Sequence, residues 1–159
     1  MIPRRYIDEW KVVAPWPNDA QVEQDLVIAR ALVEIFSDDL LKKSLAFRGG
    51  TALHKLYIQP QVRYSEDIDL VQINSEPINP ILKQIRERLA FLGTKRVVKQ
   101  HIHNNTVIYR FDTSTQPVIN MRLKIEINTR EHFTVLGLKE IPYKVENGWF
   151  SGECNLTGY

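Results

Sequence analysis

A single cysteine, Cys154, leaves the 159-residue chain no way to form an internal disulfide, as a reducing cytoplasm would expect. There is no charged leader followed by an apolar run, and no stretch approaches the ~20 apolar residues of a membrane span. A cytoplasmic protein without a membrane partner is the expectation. Charge of one sign is also lacking. The net charge is only +2, so any surface for a polyanion must be local. The sequence shows no internal repeat and no low-complexity tract. Neither the phosphate-loop pattern G-x-x-x-x-G-K-[ST] nor the dinucleotide pattern G-x-G-x-x-G occurs. No Ser–His–Asp or Cys–His arrangement presents itself, and Trp10, Trp16 and Trp149 read as core anchors.

What is present suits one ordinary domain. Apolar residues make up 43% and charged residues 25%, so the bulk of the chain can bury a core and disorder is not expected. Ile7, Trp10 and Val13 recur at helical spacing before Pro15 and Pro17 hold the chain extended. Asn18 or Asp19 can then cap a helix whose Val22, Leu26, Ala29, Val33 and Phe36 form one apolar stripe. "SLAFRGG" reads as a short strand ending in glycines, "TALHKLYI" as a turn or two of helix, and "DIDLVQI" as a strand. "PINPILKQIRERLAFLG" puts Ile81, Ile85, Leu89 and Leu92 on one helix face, with Gly93 placed to end it. Two strands joined at "HNN" follow. In "VINMRLKIEIN", Met121, Leu123, Ile125 and Ile127 alternate with Arg122, Lys124, Glu126 and Asn128. "FTVLGL" and "IPYKV" are weaker strand signals. Strands and helices mix without βαβ alternation, which predicts an α+β fold with a mixed β-sheet flanked by helices. Residues 1–43 would be an N-terminal helical appendage and residues 44–159 the core of a single domain.

The chemistry concentrates in "FRGGTALHKLYIQPQVRYSEDIDL", Phe47 to Leu70. Asp67 and Asp69 stand two apart on a strand, so both point to one face while Ile68 and Leu70 point to the other. Two strand steps separate the backbones of the acids by ~6.6 Å. Two full charges at that distance repel by about 2.5 kcal/mol at an effective dielectric of 20. A divalent cation between them would remove that cost, and carboxylate oxygens are ligands that Mg²⁺ prefers. A strand edge with solvated acids has the same pattern. Upstream, Gly49 and Gly50 follow a strand and precede a helix. They would let a polyanion approach backbone amides, with the Thr51 hydroxyl as a further donor. A tight strand-to-helix turn also looks like this. The combination of glycine turn, helix, loop and D-x-D is more specific than either part, because a nucleoside triphosphate needs a phosphate cradle and a metal clamp together.

These residues resemble the signature of the AbiEii/AbiGii-type nucleotidyltransferases, a toxin branch of the DNA polymerase beta-like nucleotidyltransferase superfamily. The family pattern is close to F-K-G-G-T-[AS]-L-x-K, a loop, then R-[FY]-S-E-D-[IL]-D. Phe47, Gly49, Gly50, Thr51, Ala52, Leu53, Lys55, Arg63, Tyr64, Ser65, Glu66, Asp67, Ile68 and Asp69 match it, and Arg48 stands where Lys is common. The sharp match covers about 24 residues.

The resemblance implies Mg²⁺ (or Mn²⁺) held by Asp67 and Asp69 against a nucleoside triphosphate, with Gly49, Gly50 and Thr51 gripping its phosphates. It implies a third carboxylate on a neighbouring strand. Glu126 is the candidate, although it can equally be a surface residue paired with Lys124 or Arg122. Lys55 and Arg63 could reach a phosphate; Arg63 could instead pair with Glu66. The implied reaction is transfer of a nucleotide to an RNA or protein hydroxyl, with an antitoxin as partner. The family's helical C-terminal half, with its K-L-x-A-L and R-D-x-x-D motifs, is absent from this sequence. The chain stops soon after Trp149 and Phe150, which leads to the expectation of a shortened protein. It would then be an active transferase or a catalytically inactive member that binds a nucleotide or partner. Lys83, Arg86, Arg88, Lys95, Arg96 and Lys99 form a basic run that could meet a tRNA or be an ordinary solvated face. His101 and His103 alternate on a strand without the further ligands a zinc site needs.

Overall fold

A computed structural model describes residues 1–48, 67–129 and 138–158. Gly49, Gly50, Thr51, Lys55 and Arg63, and with them the expected glycine turn and short helix, lie outside the described residues. So does most of "FTVLGL".

Three helices lead the chain: α1 (Arg4–Trp10), α2 (Asp19–Phe36) and α3 (Asp39–Ser44). Asn18, not Asp19, caps α2; its side chain accepts from the Ala20 amide at 2.8 Å. The Asp38 carboxylate caps α3 by accepting from the Leu41 amide at 3.0 Å. Strands β1 (Leu45–Arg48) and β2 (Asp67–Gln72) follow, then α4 (Asn79–Arg88) and a 3₁₀ turn over Ala90–Leu92. Gly93 ends that turn at φ +88°, a conformation that side chains rarely adopt. Strands β3 (Arg96–Gln100), β4 (Asn104–Asp112), β5 (Asn120–Asn128), β6 (Lys139–Glu146) and β7 (Ser151–Gly158) complete the described chain.

Among the described residues the seven strands form one mixed sheet in the order β3-β4-β5-β2-β1-β7-β6. β2 runs parallel to β5 and β1 parallel to β7; the other neighbours are antiparallel. The hairpin expected at "HNN" is present, its turn at His101–His103 with Asn104 and Asn105 already in β4. The sheet is two-faced because its central strands alternate. Phe47, Ile68, Leu70, Val107, Leu123, Ile125 and Ile127 are almost fully buried and belong to the one core cluster, together with the helices.

Helix α2 is buried on more than the stripe its sequence suggests. Val27, Ile28, Ala31, Leu32 and Ile35 are enclosed as well, since α2 meets β5, β6 and β7 on one side and α1, α3 and α4 on others. Its polar residues act as ties. The Glu23 carboxylate accepts from the amides of Ser114 and Thr115, and Asp25 accepts from the Trp10 indole at 2.8 Å. Gln24 donates to the Arg122 carbonyl. Each of these groups is buried, so each bond also offsets a desolvation cost. The last hairpin is held by Arg30 of α2, whose guanidinium lies 4.2, 4.7 and 4.9 Å from the ring centres of Phe91, Trp149 and Phe150. Burial pushes the Cys154 thiol up to about 11, so it is not poised as a nucleophile.

Candidate functional site

The two aspartates occupy the first turn of the pleat in β2, where the pattern of half-buried and buried residues follows the expected alternation. Asp67 and Asp69 share one face, and Ile68 and Leu70 go to the core. The parallel pairing of β2 with β5 then decides what stands beside them. Asp69 is directly opposite Glu126, and Asp67 is directly opposite Lys124. Neighbouring strands lie about 4.8 Å apart. On the other side of β2, Arg48 at the end of β1 is directly opposite Asp69. One rung of the sheet therefore reads Arg48, Asp69, Glu126, and the next β2–β5 pair on the same face, two residues along, reads Asp67, Lys124.

The electrostatics follow from this register. Burial raises the Asp69 carboxyl above its ordinary value. The negative charges of Glu126 and Asp67 and a hydrogen bond with Glu126 raise it further, while Arg48 opposes the rise. Lys124 answers part of the crowding: its ammonium is 2.7 Å from the Glu126 carboxylate, and that bond raises the Lys124 value. Glu126 therefore has a cation and an acid as neighbours. It pairs with Lys124, and it is brought against the aspartates. A cavity of about 220 Å³ opens on this rung, lined by Arg48, Asp69, Glu126, His103, Asn104 and Asn128.

As the side chains stand, no group of three or more His, Cys, Asp or Glu among the described residues is gathered tightly enough to hold an ion. Mg²⁺ does not require such a cage, since one or two carboxylates with water and substrate phosphates satisfy it. A donor set of Asp67, Asp69 and Glu126, in which Asp69 is raised by its acidic neighbours, fits a hard divalent cation in chemistry.

Sequence reasoning placed Lys124 only as a partner of Glu126 and Arg48 only as a motif variant, and it had no role for the Asn104–Asn128 rim. The signal for Arg48 was a cation closing an otherwise apolar strand. The rim could not be found from spacing, because Asn104 and Asn128 meet only through the antiparallel register of β4 and β5. The basic run is divided. Arg88 is committed to Asp38 at 3.0 Å. Arg96 is opposite Tyr109 on the helix-covered face, whereas Lys99, opposite Thr106, shares the acid-bearing face. His101 is not among the residues lining the acid cavity; His103 is.

Three solved structures share the fold. MenT4, a nucleotidyltransferase toxin from Mycobacterium tuberculosis H37Rv, aligns with a TM-score of 0.62 at 15% identity over 99% of this chain and 55% of its own. JHP933 from Helicobacter pylori aligns with a TM-score of 0.55 at 20% identity, covering 78% of this chain and 50% of that one. A putative nucleotidyltransferase from H. pylori gives 0.52 at 20% identity, with 78% and 52% covered. The chain spans about half the length of each. No curated protein matches it significantly. No helix among the described residues is long and apolar enough to cross a membrane. The family profile for the nucleotidyl transferase AbiEii toxin of type IV toxin–antitoxin systems matches residues 30–159, and the chain belongs to that family.

Proposed function

We propose that the chain is the metal- and nucleotide-holding part of a toxin nucleotidyltransferase, acting in the cytoplasm on an RNA or protein hydroxyl under the control of an antitoxin. Residues 1–159 would act as one unit, the helices of 1–43 bracing the core of 44–159. The observation that carries the reading is the register of β2 on β5, which sets Asp69 against Glu126 with Asp67 two residues along the same face.

Asp67, Asp69 and Glu126 would hold Mg²⁺ or Mn²⁺. A bound divalent ion supplies charge neutralisation at the triphosphate and at the attacking and leaving oxygens of an in-line displacement. Gly49, Gly50 and Thr51 would grip the phosphates, with Lys55 and Arg63 as further cations toward them. Arg48 stands beside Asp69 and moderates its charge, as its opposing effect on the Asp69 carboxyl indicates. Lys124 pairs with Glu126 at 2.7 Å and offsets part of the negative charge there. The products would be a nucleotidylated acceptor and pyrophosphate.

A second reading is favoured by one observation: Lys124 already engages the Glu126 carboxylate at 2.7 Å. In that reading the same residues bind a nucleotide or a protein partner without transfer. Incubation with labelled triphosphates, Mg²⁺ and total tRNA or a protein extract separates the two. Label transfer that falls by about 10³-fold or more in Asp67→Ala/Asp69→Ala, the scale of a lost electrostatic clamp, supports the transferase. Saturable nucleotide binding without transfer supports the second reading. Transfer undiminished by the double substitution removes these acids from the site.

A further inference from the structure

The helix-covered side of the sheet holds a second cleft, apolar over most of its wall and rimmed by cations, that neither the acids nor their mechanism uses. It lies between α4 and the β3–β4 hairpin, with a volume of about 390 Å³. Lys83 and Arg86 reach it from α4, one turn apart on the same helix face. Arg96 reaches it from β3, directly opposite Tyr109 of β4. Leu82, Val98 and Val107 supply an apolar wall. Arg88, the next cation along α4, is instead tied to Asp38, so the cleft has gathered only part of the basic run.

Two features set this cleft apart from an ordinary solvated face. Among the described residues no carboxylate forms an ion pair with Lys83, Arg86 or Arg96, although their neighbour Arg88 and the leading helices are well paired. Tyr109 lines the same cleft. Tyr109 is only 1% exposed, and its oxygen is buried without a hydrogen-bond partner. A buried hydroxyl left without a partner costs free energy, and natural structures rarely leave one so. Burial raises the Tyr109 hydroxyl above its ordinary value, and the charges of Arg96 and Arg86, which line the same cleft, oppose the rise. A phenol that can donate, in a cleft shared with three cations, is a donor set without an acceptor. An oxyanion with several oxygens completes it, and Arg is well suited to such groups.

We propose that this cleft binds a phosphate monoester. Its charged end takes Lys83, Arg86, Arg96 and the Tyr109 hydroxyl, and its uncharged body packs on Leu82, Val98 and Val107. The site lies on the opposite face of the sheet from Asp69 and Glu126, and it stands independently of the nucleotidyltransferase reading.

The test is a titration of the metal-free protein with inorganic phosphate and, separately, with adenosine 5′-monophosphate, followed by the methyl resonances of Val98 and Val107. Both are expected to shift these signals saturably, with the nucleotide binding more tightly because only it can use the apolar wall. Tyr109→Phe keeps the ring and loses the donor; a drop of about fivefold in affinity is expected from one hydrogen bond. Arg96→Gln and Arg86→Gln should each cost about tenfold or more, as charge-assisted contacts do. Asp69→Asn should leave the titration unchanged. Equal affinity for the two ligands would strike the apolar wall from the proposal. Absence of saturable shifts at Val98 and Val107, or shifts unaltered in both Tyr109→Phe and Arg96→Gln, would overturn it.

Discussion

Strands β2 (Asp67–Gln72) and β5 (Asn120–Asn128) each present two faces, and the faces obey different rules. On the helix side, Ile68, Leu70, Ile125 and Ile127 are at most 1% exposed and pack into one core. On the other side, Asp67, Asp69, Lys124 and Glu126 crowd charge into half-buried positions. The first face holds the sheet together. The second holds a repulsion that the sheet must carry. The comparison teaches that alternation alone lets one strand pair serve both ends, because a residue and its successor never meet the same surroundings.

That contrast can be broken from either side. The largest effect belongs to the core face. Ile125→Ala should destabilise the protein by about 2–5 kcal/mol, the range for emptying a fully buried aliphatic site, and urea denaturation would register it as a lower midpoint. An undiminished midpoint would mean the core face is not where stability resides.

The acid face should respond with the opposite sign. Asp69→Asn removes a charge held against Glu126 and Asp67, and should stabilise the metal-free protein by about 1 kcal/mol near neutral pH, allowing for solvent screening. The pH dependence follows from the direction of the shift. The folded chain keeps the Asp69 proton to higher pH than the unfolded chain does. Its contribution is therefore present at low pH and is lost as the pH rises through the folded value. The advantage of Asp69→Asn over the native chain should grow from about pH 4 upward, read as denaturation midpoints across that range. A constant difference would contradict it.

The smallest effect is that of Lys124→Ala. It removes the 2.7 Å partner of Glu126 but leaves a partly exposed site. A loss of less than about 1 kcal/mol is expected. It sharpens the comparison because Lys124→Ala and Asp69→Asn act on the same crowding with opposite signs. Combined, they should fall short of independent addition in a double-mutant cycle.

Much of this was legible from the residues. Ile81, Ile85, Leu89 and Leu92 are buried as their spacing requires, and the alternation in β5 placed Glu126 on the polar side. The D-x-D spacing put both aspartates on one face of β2. What spacing could not supply was the pairing of distant strands. Nothing local in "LKIEIN" says that it lies parallel to β2 with Glu126 at the level of Asp69. For the same reason Arg48 was read as a variant of a motif and not as a neighbour of Asp69. The burial of α2 on several sides was also beyond a stripe-based reading, because it depends partly on the last hairpin, whose adjacent Trp149 and Phe150 meet Arg30 of α2 beside Phe91.

The central claim is that Asp67, Asp69 and Glu126 are gathered to receive a divalent cation. Electron paramagnetic resonance of Mn²⁺ titrated into the native chain tests it most directly, since free and bound Mn²⁺ give different signals without any need for turnover. The account predicts saturable binding that Mg²⁺ displaces, that Asp67→Asn/Asp69→Asn abolishes and that Glu126→Gln weakens. Binding of equal strength in the native chain and in the double variant would contradict it.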